Sequence, residues 1–158
     1  MNTSMLFPAC LTLHLIALTL MAGTTLVDYI TFKTFWKLYY SDKEKANGIL
    51  QASAVFSRLI GIGAALLIIT GIGMMALTNG VFGEQLWFRI KFGLVLLLIL
   101  NGVFVGRRLG VKLRKLVLLD GPEISIQINA LKSNLNRFHI IQLSIFCWII
   151  FLSAFKFN

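Results

Sequence analysis

Charge is scarce in this sequence. Only 13% of its 158 residues are Asp, Glu, Lys or Arg, where soluble domains carry about a quarter, and 58% are hydrophobic. With a mean hydropathy of +0.84, the chain has lipid as its solvent for most of its length. Acidic residues are scarcer still, 6 against 15 basic ones, for a net charge of +9. That excess does not mark a nucleic-acid-binding domain or a disordered chain, because neither carries so much hydrocarbon. Cysteine is limited to Cys10 and Cys147, which form no Cys-x-x-Cys. Thiol-redox chemistry and a disulfide-stapled secreted module are thereby disfavoured, and both residues read as small hydrophobes. The sequence also lacks repeats, low-complexity tracts and any pair of carboxylates within an apolar segment. The last of these argues against glycosidase, aspartyl-protease and di-metal chemistry.

What is present is hydrocarbon in four long runs. A bilayer core of about 30 Å needs roughly 20 apolar residues in a helix, and spans are read at 6–27, 54–77, 86–105 and 138–155. The first keeps Pro8 in its opening turn and has no basic region before it, so it reads as a mature helix rather than a signal peptide. The two longer connections, 28–53 and 106–137, hold Lys33, Lys37, Lys43, Lys45, Arg107, Arg108, Lys112, Arg114, Lys115, Lys132 and Arg137. Eleven cations on one side place that side in the cytoplasm and both termini outside. The fold expected is an all-α integral membrane four-helix bundle, residues 1–158 forming one domain, with short cytoplasmic helical extensions. Residues 28–45 read as an extension of helix 1 and 109–116 as an interfacial overrun of helix 3. A turn at 120–123 is followed by a stripe of Ile124, Ile128, Leu131 and Leu135, which reads as a short amphipathic helix on the inner surface. The basic rim implies anionic lipid headgroups as partners.

An ionisable side chain in hydrocarbon costs about 2.5 to 3.5 kcal/mol, so each one requires a reason. His14 lies about 12 Å below the outer end of span 1 and Lys91 about 8 Å below that of span 3, depths at which they can share a layer. Arg89 points roughly opposite to Lys91. Arg58 enters span 2, Asn101 lies deeper in span 3, and His139 and Gln142 lie in span 4, with His139 near the inner water. Asp28 closes span 1, where a pair with Arg58 would neutralise both. On helix 1, His14, Ala17, Met21, Thr24 or Thr25, and Asp28 recur at three- and four-residue intervals and face inward. Helix 2 carries the small residues Ser57, Gly61, Ala64, Ala65, Gly71 and Gly73, a packing surface. The imidazole of His14 suits either a hydrogen bond to a neighbouring helix or the ligation of haem iron or a divalent metal. Lys91 suits an interfacial anchor or an anion site, and Asn101 a helix-to-helix hydrogen bond.

The motifs Leu13-His14-Leu15-Ile16 with Ala22-Gly23, Trp87-Phe88-Arg89-Ile90-Lys91 leading into a Leu/Val run, and Gly106-Arg107 resemble the HemJ-type protoporphyrinogen oxidases and related copper-resistance-D-like membrane proteins. The resemblance covers residues 13–116, with an echo at Asn136-Arg137. It implies a haem-type cofactor and oxidation of protoporphyrinogen IX, with electrons passing to a quinone. On it, His14 is the axial ligand and Lys91 holds a tetrapyrrole propionate, both being the catalytic candidates, and Arg58, Arg89 and Asn101 complete the cofactor-binding set. The family's span 3 histidine falls where this chain has Asn101 and Gly102. A bacterial cytoplasmic-membrane protein and a homo-oligomer are expected. The alternative is a non-enzymatic four-helix membrane protein that binds a small ligand, lipid or partner. Membrane glutathione transferases and small multidrug exporters fit less well, since the Arg- and Asn-containing signature of the former and the mid-span carboxylate of the latter are missing.

Overall fold

The computed structural model describes residues 3–117, 119 and 122–155. Its elements are α1 (Thr3–Tyr39), α2 (Lys43–Leu77), a 3-10 turn (Val81–Glu84), α3 (Leu86–Leu100), a π-helical turn (Asn101–Gly106), α4 (Arg107–Val117) and α5 (Pro122–Ala154). No strand occurs among the described residues. Because α3, the π turn and α4 are continuous, the chain presents four rods, each long and apolar enough to cross a membrane. They fall into two compact units, the first ending at Arg89 and the second running from Ile90.

The first unit is a helical hairpin. At 37 and 35 residues, α1 and α2 are roughly 55 and 52 Å long, well beyond a bilayer core of about 30 Å. The extension expected of helix 1 is therefore matched by one on helix 2, and residues 43–53 are helical as well. Pro8 lies inside α1, not in its opening turn, because the helix starts at Thr3. Lacking an N–H, Pro8 removes the i→i−4 hydrogen bond to the Ser4 carbonyl. The inward face read on helix 1 holds: Ala17, Met21 and Thr25 are buried, and Asp28 is half-buried. Toward its end, Phe35 and Trp36 are buried in a run of edge-on rings that also takes in Phe32 and Tyr39.

Only Tyr40, Ser41 and Asp42 separate the two helices. Asp42 is extended and caps α2, its Oδ1 accepting from the Lys45 backbone N–H at 3.1 Å while Oδ2 pairs with Lys45 Nζ at 2.8 Å. The hydrogen bond from the Lys45 side chain is the main cause that holds this carboxyl below its ordinary value. The cap's contribution is thus complete above the unfolded carboxylate pKa of about 3.9, and it is lost as pH falls through the lower folded value. Asp42→Ala should lower the hydrogen-exchange protection factors of Lys45 and Ala46 at neutral pH, and acidification through the folded pKa should lower them in the natural chain but not in the variant, once the intrinsic pH dependence of exchange is divided out. At the other end α2 stops where Asn79 and Gly80 turn left-handed (φ 51° and 76°), with the Gly80 N–H reaching back to Met75 O at 3.0 Å.

In the second unit, α5 corrects the reading of a surface helix followed by a separate span. Ile128, Leu131, Leu135, His139, Gln142, Phe146 and Ile149 are all buried and recur at intervals of three and four. This is one stripe, so one helix of 33 residues carries both segments. Of the turn expected at 120–123, residues 120 and 121 lie outside the described residues, and helix already begins at Pro122. α5 packs against α4 and the π turn. Gly106 lets the Phe138 ring come close, since a Cβ at this position would lie 2.7 Å from Phe138 Cζ and the ring would have to shift.

Candidate functional site

Within the hairpin, small residues decide how closely the helices approach. A Cβ on Gly63 would lie 2.9 Å from Met21 Cβ and 3.3 Å from Ala17 O, whereas one on Gly61 would meet nothing within 4 Å. The packing glycine of the Gly61-Ile62-Gly63 fragment is therefore its second. Further along, Gly73 faces Cys10, and Gly71 faces His14 with a would-be Cβ 3.7 Å from Cε1. Cys10, His14, Ala17, Met21 and Thr25 thus form the face of α1 that α2 meets in antiparallel register.

Thr70 is the centre of this contact, and the sequence reading did not single it out. Its hydroxyl lies 2.6 Å from Leu66 O and 2.8 Å from His14 Nδ1, and its carbonyl accepts from the Cys10 thiol at 3.2 Å. A hydroxyl has one hydrogen to give. At 2.6 Å that hydrogen goes to the Leu66 carbonyl, so His14 must donate from Nδ1–H and Thr70 accepts. The neutral imidazole is then the Nδ1–H tautomer with its lone pair on Nε2.

The other residues expected at the site are placed as follows. Arg58 is exposed on α2, twelve residues before Thr70, or roughly 18 Å along the axis, so it and His14 are not brought together. Arg58 and Asp28 do not form the ion pair expected of them. Arg89 donates from Nε to Gly83 O at 3.0 Å, tying the start of α3 to the turn before it, where Trp87 Nε1 also donates to Gln85 Oε1 at 2.6 Å. Lys91 and Asn101 belong to the second unit.

Asn101 makes the interhelical hydrogen bond foreseen for it. Its Nδ2 donates to Gln142 Oε1 at 2.9 Å, and Gln142 Nε2 donates to Leu98 O at 3.3 Å. His139, one turn before Gln142 on the same stripe, is only 4% exposed, far more enclosed than a position beside the inner water suggested. Both cysteines are free thiols. No group of three or more His, Cys, Asp or Glu side chains converges among the described residues. No known family, characterised protein or solved structure matches the chain.

Proposed function

We propose that the chain is a multi-pass protein of the bacterial cytoplasmic membrane with both termini outside, and that it is a HemJ-like oxidoreductase in which the His14 imidazole would hold a haem-type tetrapyrrole. The observation that carries this reading is the Thr70 hydroxyl on His14 Nδ1. Ligating histidines commonly give their other ring N–H to an oxygen that fixes tautomer and ring orientation, and here this leaves Nε2 as the basic nitrogen. A macrocycle brings four donors of its own and asks the protein for one or two, which suits a lone histidine better than a bare cation does. When bound, haem supplies one-electron chemistry, with a lipid-phase quinone as acceptor. The family resemblance assigns the positive charge for the carboxylates of the tetrapyrrole to Lys91 and Arg89. The eleven cations of the two longer connections support the orientation.

Reconstitution of the detergent-purified protein with haem tests the reading. A Soret band distinct from that of free haem is expected for the natural chain and for Thr70→Ser, with loss in His14→Ala. Thr70→Val should weaken haem binding by about 10- to 100-fold, the usual effect of removing an outer-shell partner. Complementation of a strain lacking protoporphyrinogen oxidase tests the activity. A colourless protein, or a band that His14→Ala leaves untouched, sinks the proposal. The second reading, a non-enzymatic ligand- or partner-binding membrane protein, is favoured by the same bond, because an imidazole donating to Thr70 already meets part of the cost of lying in hydrocarbon.

A further inference from the structure

We infer that α4 is a binding site for the phosphate headgroup of an anionic phospholipid. Five residues of this one helix, Arg107, Arg108, Val111, Lys112 and Lys115, line a shallow open groove of about 430 Å³. At about 100° per residue they fall within an arc of about 140°, and Leu113 and Leu116 lie on the opposite side, buried, where α4 packs on α5. The apolar face thus fixes which way the cations point. Arg108, Lys112 and Lys115 follow one another at four and three residues, a spacing at which like charges repel. Among the described residues no carboxylate lies within ion-pair distance of the four cations. An anionic ligand from outside the chain matches this face in charge.

Two observations select a lipid over a free anion. The helix begins where an exposed apolar stretch, Val103, Phe104 and Val105, gives way to Arg107, which is the order of acyl chain and headgroup across a membrane boundary. Val111, 47% exposed, sits among the four cations and offers an apolar contact that inorganic phosphate does not use. Juxtamembrane cations attract anionic lipid with about a fivefold gain in affinity for each one. Concentrated on one face, four of them form a site, whereas scattered charges on the rim would only raise the local lipid concentration.

The full-length protein in mild detergent is titrated with dioleoyl-phosphatidylglycerol or dioleoyl-phosphatidylcholine, and bound lipid is counted by native mass spectrometry. Selective retention of phosphatidylglycerol is expected, falling about tenfold or more in R108Q/K112Q and little in the charge-matched K33Q/K37Q. K115Q alone, a milder change on an exposed side chain, should lose severalfold. Equal losses in both double variants would overturn the site by showing that total charge is what counts. Equal retention of the two lipids would overturn it too, and displacement of phosphatidylglycerol by millimolar inorganic phosphate would reassign the face to a free anion.

Discussion

Gly63→Leu should open the α1–α2 hairpin, with a loss of at least about 3 kcal/mol in detergent unfolding. Inserting side-chain atoms into a packed contact ordinarily costs about 1 to 3 kcal/mol, much of it recovered when a neighbouring side chain swings aside. Here little can swing aside. The atoms nearest a new Cβ are Met21 Cβ at 2.9 Å, Met21 N at 3.2 Å and Ala17 O at 3.3 Å, and two of these three are backbone. The helices themselves must separate, which takes His14 off Thr70 and Cys10 off the Thr70 carbonyl. Gly61→Leu is the matched control, with nothing within 4 Å of its Cβ, and it should unfold no earlier than the natural chain. Circular dichroism against temperature, with haem-binding capacity read in parallel, checks both. Equal effects of the two substitutions would show that the close approach at Gly63 does not hold the hairpin.

The contrast between these glycines marks where sequence pattern stops being informative. Hydrophobic length alone identifies four rods, because only helices and closed barrels satisfy every backbone group in lipid, and runs of about 20 apolar residues fit a helix rather than a barrel strand. The three- and four-residue recurrence of His14, Ala17 and Met21 correctly gives the buried face of α1. The partner face on α2 is apolar or small nearly all round, so period does not separate Gly61 from Gly63, and only the register of the hairpin does. Thr70 is hidden for a similar reason. A threonine in a span most often bonds to the carbonyl one turn back, as Thr12, Thr19 and Thr25 do here, and Thr70 does so as well before it also accepts from His14.

The break read into α5 has a different origin. Pro122 and the charged residues around it suggest an end, and the change from mixed to mostly apolar composition near Phe138 suggests a second segment. The stripe from Ile128 to Ile149 passes through that change without losing phase, and burial follows phase rather than composition. His139 and Gln142 are polar members of that stripe, which is why both are enclosed. The π turn at Asn101–Gly106 has a weak signal in its two glycines and none in its apolar residues. Wide turns of this kind recur at functional positions in helices, so the segment belongs with the hydrogen bonds beside it.

Those hydrogen bonds give the second large effect, at Gln142→Leu. Gln142 is 3% exposed and bridges two elements, accepting from Asn101 Nδ2 and donating to Leu98 O. A single interhelical hydrogen bond in a membrane protein averages about 0.6 kcal/mol, because the separated helices find other partners. Leaving a buried amide unsatisfied costs more, about 1 to 3 kcal/mol. The lower end of the second figure governs here, since the leucine removes the acceptor from an Asn101 amide that is half-buried, and a loss of about 1 kcal/mol is expected. The sign of the coupling separates this account from simple loss of packing. Adding Asn101→Leu to Gln142→Leu removes the stranded amide, so the double variant should be more stable than Gln142→Leu alone, the reverse of additivity. Amide exchange is the local readout. The Arg107 N–H bonds five residues back to Gly102 O at the end of the π turn, and Gly102 lies beside Gln142 Nε2. Exchange across 101–107 should accelerate in Gln142→Leu and recover in the double variant; strictly additive losses with unchanged exchange would mean that the Asn101–Gln142 bridge does not support the turn.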